Sequence, residues 1–286
     1  MIGNSDFDSL ERGAGKGGKG MRIRGNVRSV FLGAAPRAFL LGIFVLFFAL
    51  FTMPSFASEV HWSYSGEEGP ENWGNLSPAF NEAMGGAQSP IDITTEGKEN
   101  GVEFFYRDGK FSVLNNGHTL QVTPENEREN YIVVDGTRYY FRQLHFHTPS
   151  EHTLNGTQVP MEIHFVHGDD KGRLAVVALF VVEGPENEAI AAAWSAAPRE
   201  RGKTGKIEKP FPLNGLLPRD LDGIRYYGSL TTPPTAEGVS WIVLDEHVTA
   251  AAGQISWFTD LIGKNARPTQ PRNGRILAPF QGRIVR

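Results

Sequence analysis

The feature that most limits what this chain can become is a series of alternating or wholly apolar runs, each about a strand long and each closed by turn residues. In order they read VEFFY, FSVLNNGHTLQVT, YIVVDGTRYYFRQLHFHT and MEIHFVHGDDKGRLAVVALFVVE. Successive side chains on a strand point to opposite faces, so alternation marks a half-buried strand, and Asn-Gly or Asp-Gly between two such runs marks a tight hairpin. The pattern predicts an antiparallel meander. LAVVALFVV is apolar on both faces and is expected at the centre of the sheet. With 33 Gly and 18 Pro among 286 residues, turns are frequent and short strands outweigh long helices. One helix is predicted at about 187–197 (NEAIAAAWSAA), stopped by Pro198, and a second within AAGQISWFTDLI. Residues 59–101, the pieces before SLTTPP and the C-terminal tail read as irregular. No repeat and no shift of composition divides 58–286, which is long enough to bury a core of its own as one domain.

Residues 1–57 stand apart. They hold seven of the 28 basic and three of the 32 acidic side chains, leaving 21 against 29, a net charge of about −8, in the rest. An acidic body argues against nucleic acid as a partner, because phosphate binding wants a basic surface. Arg22, Arg24, Arg28 and Arg37 precede the apolar run Ala38 to Met53, followed by Pro54-Ser55-Phe56-Ala57-Ser58. A basic flank, an apolar stretch and small residues are the parts of a secretory signal peptide, with cleavage expected after Ala57. The alternative is an uncleaved membrane anchor, although sixteen helical residues rise roughly 24 Å, short of a ~30 Å hydrocarbon core. Either way the remainder is expected to be exported, to a periplasm or the medium. The chain has no cysteine, so it can form no disulfide and any metal site must use His, Asp or Glu.

Within QLHFHTPSEH (143–152), His145 and His147 share one strand face with Gln143, while Leu144 and Phe146 point to the other. Two imidazoles so placed can hold one metal ion, and a stable site needs a third ligand. His164, in MEIHFVH, is the candidate, since it too sits mid-strand between apolar neighbours, with Glu162 two residues before it. A ligating histidine usually donates its other ring N–H to a carboxylate, amide or carbonyl, and Gln143 and Glu162 are each two residues ahead of a histidine for that purpose. His61, His152, His167 and His247 read as ordinary surface or core residues, His167 facing away from His164. Three neutral imidazoles leave the full charge of a dication on the ion and, in a tetrahedral site, one open position, where Zn2+ makes hydroxide from water near neutrality.

The chain also resembles a known family, the α-class carbonic anhydrases. HWSYSGEEGPENWG, QSPIDI, NNGHTLQV, QLHFHTPSEHTLNG, MEIHFVH, LAVVALF, GSLTTPP, VSWIVL and NARPTQP occur in that family's order from His61 almost to the C-terminus. The resemblance implies an α/β, mainly β, single domain over 58–286, with a large, mostly antiparallel twisted central sheet, short surface helices and zinc in a conical cleft. It implies zinc on His145, His147 and His164, supported by Gln143, Glu162 and the Asn265 carbonyl. Thr231 would accept a hydrogen bond from the nucleophilic hydroxide and donate its own to an ionised Glu151. Val166, Val176, Leu230 and Trp241 would form an apolar wall for carbon dioxide, with Thr232 beside the bicarbonate position. His118 would be the proton shuttle, a role suited to an imidazole of ordinary pKa about 6.5, with Tyr64 and Asn116 ordering water. The implied reaction is the reversible hydration of carbon dioxide, with a side activity on activated esters, a small-molecule substrate, no membrane contact beyond an uncleaved N-terminal segment, and a monomer or homodimer.

The sequence departs from its relatives in two places. Thr235 and a residue near Glu82 stand where many exported bacterial relatives carry a disulfide, and Val159 stands where an aromatic is common. A cupin metal oxygenase is a rival reading, because HFHTPSE also fits H-x-H-x3-E, but Tyr139 replaces the glycine expected there and no second cupin motif follows. A metal-free binding module on the same fold is another, though such a protein should lack a ligand or the Glu-Thr pair.

Overall fold

The alternating runs join through their hairpins into one sheet. A computed structural model describes residues 60–93 and 101–285. Residues 1–59, and with them the signal-peptide reading, lie outside the described residues. The strands are β1 (Asp92–Ile93), β2 (Gly101–Phe105), β3 (Phe111–Asn115), β4 (Leu120–Pro124), β5 (Tyr131–Val134), β6 (Thr137–His147), β7 (Thr153–Leu154), β8 (Met161–Gly168), β9 (Leu174–Glu183), β10 (Thr204–Lys206), β11 (Gly223–Ser229), β12 (Glu237–Leu244), β13 (Val248–Ala250) and β14 (Ala278–Ile284). The helices are α1 (Trp73–Leu76), α2 (Glu188–Ala196) and α3 (Ala252–Ile262), and no described helix is long and apolar enough to cross a membrane.

Among the described residues twelve strands form the main sheet, and its pairings close a circuit that runs β6, β8, β9, β12, β11, β14, β2, β5 and back to β6. Most pairings are antiparallel. The exceptions join β9 to β12 and β13, and β14 to β2. As expected, β9 lies inside the sheet, between β8 on one edge and β12 with β13 on the other. The β5–β6 hairpin turns on Asp135-Gly136, whose φ angles of 49° and 74° suit the mirror-image turn that matches strand twist. Asn187 caps α2, its side chain accepting from the Ala189 and Ile190 amides, as Asn at this position does in place of missing backbone partners.

The sheet buries both faces. On one, Phe141, Leu144, Phe146, Ile163, Phe165 and Leu179 pack with Ala189, Ile190 and Trp194 of α2 and Phe258 of α3. On the other, a smaller core gathers Val176, Ala178, Phe180, Tyr226, Trp241 and Val243, with Val159 packed against it. A β-bulge in the β6–β8 pairing between Phe141 and Gln143 matters for both. The extra residue shifts the parity of the strand. Tyr139 and Phe141 before it, and Leu144 and Phe146 after it, all reach the larger core, so Gln143, His145 and His147 fall on the opposite face.

Two regions read as irregular prove to be strands. β11 precedes SLTTPP, and the C-terminal tail forms β14, which pairs with both β11 and β2. Neither alternates cleanly: Gly223 and Gly228 interrupt β11, while Pro279 and Gly282 interrupt a half-exposed β14. Near Glu82 and Thr235, where the resemblance implied that related chains carry a disulfide, two carboxylates hold the chain. The Glu237 amide donates to Glu82 Oε2 at 2.6 Å, and Glu237 Oε1 accepts from the Ala87 amide at 2.8 Å and from Gln88 Nε2 at 3.2 Å.

Candidate metal centre

In the antiparallel register of β6 and β8, His145 pairs with His164, His147 with Glu162 and Gln143 with Val166. Directly opposed residues share a face, so register alone gathers the three histidines. Their ring centroids lie 5.0 Å (145–147), 5.3 Å (145–164) and 4.5 Å (147–164) apart. One nitrogen of each ring is committed outward. His145 Nδ1 lies 3.0 Å from Gln143 Oε1, His147 Nδ1 2.8 Å from the Asn265 carbonyl and His164 Nε2 2.6 Å from Glu162 Oε1. All three partners are acceptors, which fixes the protons on those nitrogens and turns the lone pairs of His145 Nε2, His147 Nε2 and His164 Nδ1 inward.

The three rings each offer one ligand atom, and these atoms lie within 4.8 Å of one another. Burial pushes the pKa of His145 well below the ordinary range, with His147 and His164 adding to the effect, and burial likewise lowers that of His147 against the pull of Glu151. These two rings are thus held neutral, the form that binds metal. Beside the triad, His147 Nε2 and Glu151 Oε2 are among the buried atoms without a hydrogen-bond partner. They stand 3.5 Å apart, and the same oxygen is 3.8 Å from His164 Nδ1. Buried polar groups are rarely left unsatisfied. A cation among the three inward nitrogens would satisfy the ring and balance the carboxylate, so the donor set fits Zn2+.

Behind the triad lies a network that sequence reasoning missed. Glu162, fully buried, accepts from the Glu151 and His152 amides at Oε2 and from His152 Nδ1 and His164 Nε2 at Oε1, with distances of 2.8, 2.8, 2.6 and 2.6 Å. Burial alone would raise its pKa, but the two histidines hold it well below the usual carboxylate range. With Nδ1–H donated to Glu162, His152 Nε2 accepts from the Tyr226 hydroxyl at 2.7 Å, which in turn lies 2.9 Å from Ser89 Oγ. His152 therefore has both ring nitrogens engaged and acts on His164 through Glu162. The signal available was its place beside Glu151 in SEH, which says nothing of a partner 74 residues away.

Glu151 is also fully buried, and its Oε1 accepts from the Arg267 amide at 2.8 Å. The buried Arg267 guanidinium donates to Gln88 Oε1 and the Ser89 carbonyl at 2.9 and 2.7 Å and lies over the Trp73 ring; burial pulls its pKa down to about 10, leaving it charged at neutral pH. Thr231 is buried as well, but the expected hydrogen bond from its hydroxyl to Glu151 is not formed, because Oε2 has no partner. Val176 and Trp241 belong to the smaller core, and the partly buried Val166 and Leu230 pack against it. Val176 pairs with Val166 on one side and Trp241 on the other, and the Trp241 ring lies 4.9 Å from that of His164. The four residues therefore meet on the face that carries the triad. Thr232 is half-buried.

His118 is half-buried in the β3–β4 connection, after Gly117 with its positive φ of 87°. Its ring stacks on Trp62, with centroids 4.0 Å apart and planes 12° from parallel. Asn116 uses Oδ1 to accept from the His118 and Thr119 amides at 2.8 Å, so that oxygen shapes the turn. Tyr64 packs edge-on to Trp62 and Trp73, and burial, then the charge of Glu151, raises its pKa well above the ordinary value, keeping its hydroxyl protonated. His167 faces the larger core, as expected, and His61 pairs with Glu68 at the surface. Cavities of about 740 and 870 Å³ along β2 and β14 include none of these residues.

The eukaryotic-type carbonic anhydrase family matches residues 68–286. A carbonic anhydrase of Klebsiella pneumoniae is 40% identical over 233 residues, covering 80% of this chain and 95% of that protein. The solved structure of the α-carbonic anhydrase from Thermovibrio ammonificans, in complex with the inhibitor sulfanilamide, is similar with a TM-score of 0.73 at 41% identity, covering 78% of this chain and 100% of the other. A structure of dioscorin complexed with ascorbate is similar with a TM-score of 0.72 at 28% identity, covering 78% and 98%.

Proposed function

Because the chain belongs to the eukaryotic-type, α-class, carbonic anhydrase family, we propose that it catalyses CO2 + H2O ⇌ HCO3− + H+ with zinc held by His145 Nε2, His147 Nε2 and His164 Nδ1. The observation that carries this reading is the convergence of three imidazole rings, each with its second nitrogen already committed to Gln143, the Asn265 carbonyl or Glu162. When bound, zinc would supply hydroxide near neutrality, by lowering the pKa of a water to about 7, a value known for carbonic anhydrase itself rather than obtained from this chain.

The remaining work falls to side chains. Glu151 is anchored by the Arg267 amide with Oε2 unpartnered. A Thr231 hydroxyl turned to donate to that oxygen, a bond not made in this structure, would leave the Thr231 oxygen able to accept only from the attacking oxygen, aiming that oxygen's lone pair at carbon. Val166, Val176, Leu230 and Trp241 would hold carbon dioxide, which carries no net charge and calls for an apolar wall. Thr232 would contact bicarbonate. His118 would relay the released proton to solvent, with Tyr64 and Asn116 ordering the intervening water. Attack on the carbonyl of activated esters is a side reaction of the same nucleophile. The basic, apolar and small-residue succession in 22–57 supports export, which N-terminal sequencing of the fractionated protein would test.

The deciding experiment joins metal analysis to stopped-flow hydration on the purified protein. About one zinc per chain and buffer-dependent hydration are expected, and His147→Ala should lose both. Wild-type zinc retention in that variant would remove the ligand assignment, and a fully folded wild type that neither binds zinc nor hydrates carbon dioxide would favour a binding module.

A further inference from the structure

The hydration reading gives the Asn265 backbone carbonyl a role, as the acceptor for His147. Its side chain does something different. Asn265 is 1% exposed, and its amide joins three pieces of backbone. Nδ2 donates to the His118 carbonyl and to the Phe146 carbonyl, both at 2.9 Å, while Oδ1 accepts from the Thr148 amide at 2.8 Å. The partners fix which end of the amide is which, since two carbonyls need donors and an N–H needs an acceptor. Phe146 lies between His145 and His147. Its peptide is gripped a second time by Thr119, whose hydroxyl donates to the Phe146 carbonyl at 2.7 Å and accepts from the Phe146 amide at 3.1 Å. Thr119 follows His118 directly. The strand that carries two candidate ligands and the turn that carries the candidate shuttle are thus clamped together by one amide and one hydroxyl.

We infer that the Asn265 side chain is a positioning residue for proton transfer, holding the His118 backbone at a fixed separation from the triad. The inference rests on the hydration reading. Proton transfer through ordered water depends on how far the accepting ring stands from the site, and loosening the turn widens that distribution without altering the rings that bind metal. No other small side chain makes the same connection, because Asp offers no donor and Ser only one.

The test uses Asn265→Ala, which keeps the carbonyl that faces His147, and Thr119→Val, which breaks the clamp from the other end. His118→Ala sets the floor. In weak buffer, kcat should fall about tenfold more than kcat/KM, equivalent to about 1.4 kcal/mol in the barrier, and concentrated imidazole should close the gap. In zinc-depleted protein, amide exchange of residues 115–121 should speed up by about tenfold in each variant, with β9 unchanged. Equal losses of kcat and kcat/KM in both buffers, or unchanged exchange in 115–121, would overturn the inference. If Asn265→Ala does not fold, Thr119→Val decides by the same readouts. A wild type without hydration would sink the hydration reading alone, and the exchange measurement would still report whether the amide anchors the turn.

Discussion

His167 lies three residues beyond His164 on β8 and faces the larger core instead of the triad. His167 Nε2 lies 2.6 Å from the Tyr106 hydroxyl and Nδ1 lies 3.3 Å from the Ala175 carbonyl, so the neutral ring donates to one and accepts from the other. Burial pushes its pKa down to about 3. Unfolded, the same ring titrates near 6.5, so between those values the unfolded chain binds a proton that the folded one refuses. This contribution to stability is complete above about pH 6.5 and is lost as the pH falls, by up to about 1.4 kcal/mol per unit. Urea unfolding between pH 7 and 4 should show the slope, and His167→Gln should flatten it while lowering stability at pH 7. A second residue-scale expectation concerns the Tyr226 hydroxyl, which is linked to His164 by hydrogen bonds through His152 and Glu162. Tyr226→Phe removes the hydroxyl that fixes His152, and zinc affinity should weaken by about tenfold in a chelator competition, with little change in hydration at saturating zinc.

Among the elements, β6 does most to create the site, since its bulge lets one strand feed the larger core along its whole length while turning three polar residues the other way. The alternation of QLHFH was legible because a period of two depends only on neighbours, and the pairing with MEIHFVH was legible because both strands repeat a polar-x-His pattern. β11 and β14 were not, because glycine and proline blur their period and each strand is defined by partners far along the chain. The disulfide position shows the same limit: the absent cysteines could be read, but not the carboxylates that take over. Removing one of them should be felt. Glu237→Ala leaves the Ala87 amide without its acceptor and frees the 82–88 segment, so the thermal midpoint should drop by about 2–4 °C for each kcal/mol lost, measured by calorimetry, while zinc stoichiometry stays near one per chain.

At the scale of the whole molecule, the strand pairings form a closed circuit, and the triad is built on β6 and β8, two adjacent members of it. The fold can therefore assemble the rings before any metal arrives. Binding to the folded state alone then adds stability by mass action, about 2.7 kcal/mol at a free zinc concentration a hundredfold above Kd. Calorimetry with and without a chelator should show a higher midpoint for the zinc-loaded protein, rising further with free zinc, and an identical midpoint in both would mean that the rings do not hold the ion. The Asn265 carbonyl was implied by the resemblance, but other long-range supports were not disclosed: the Asn265 side chain, Arg267 and Gln88 meet the site from opposite ends of the domain, and nothing near them in the chain announces those contacts. Trp62 is another such partner, and its contact with His118 bears on how the molecule can be handled. If His118 relays the proton as proposed, Trp62 stands at the point where protons would be handed to solvent. An affinity handle, a solid support or a lipid bilayer attached a few residues upstream would stand at that exit, so an immobilised catalyst should be tethered by some other part of its surface.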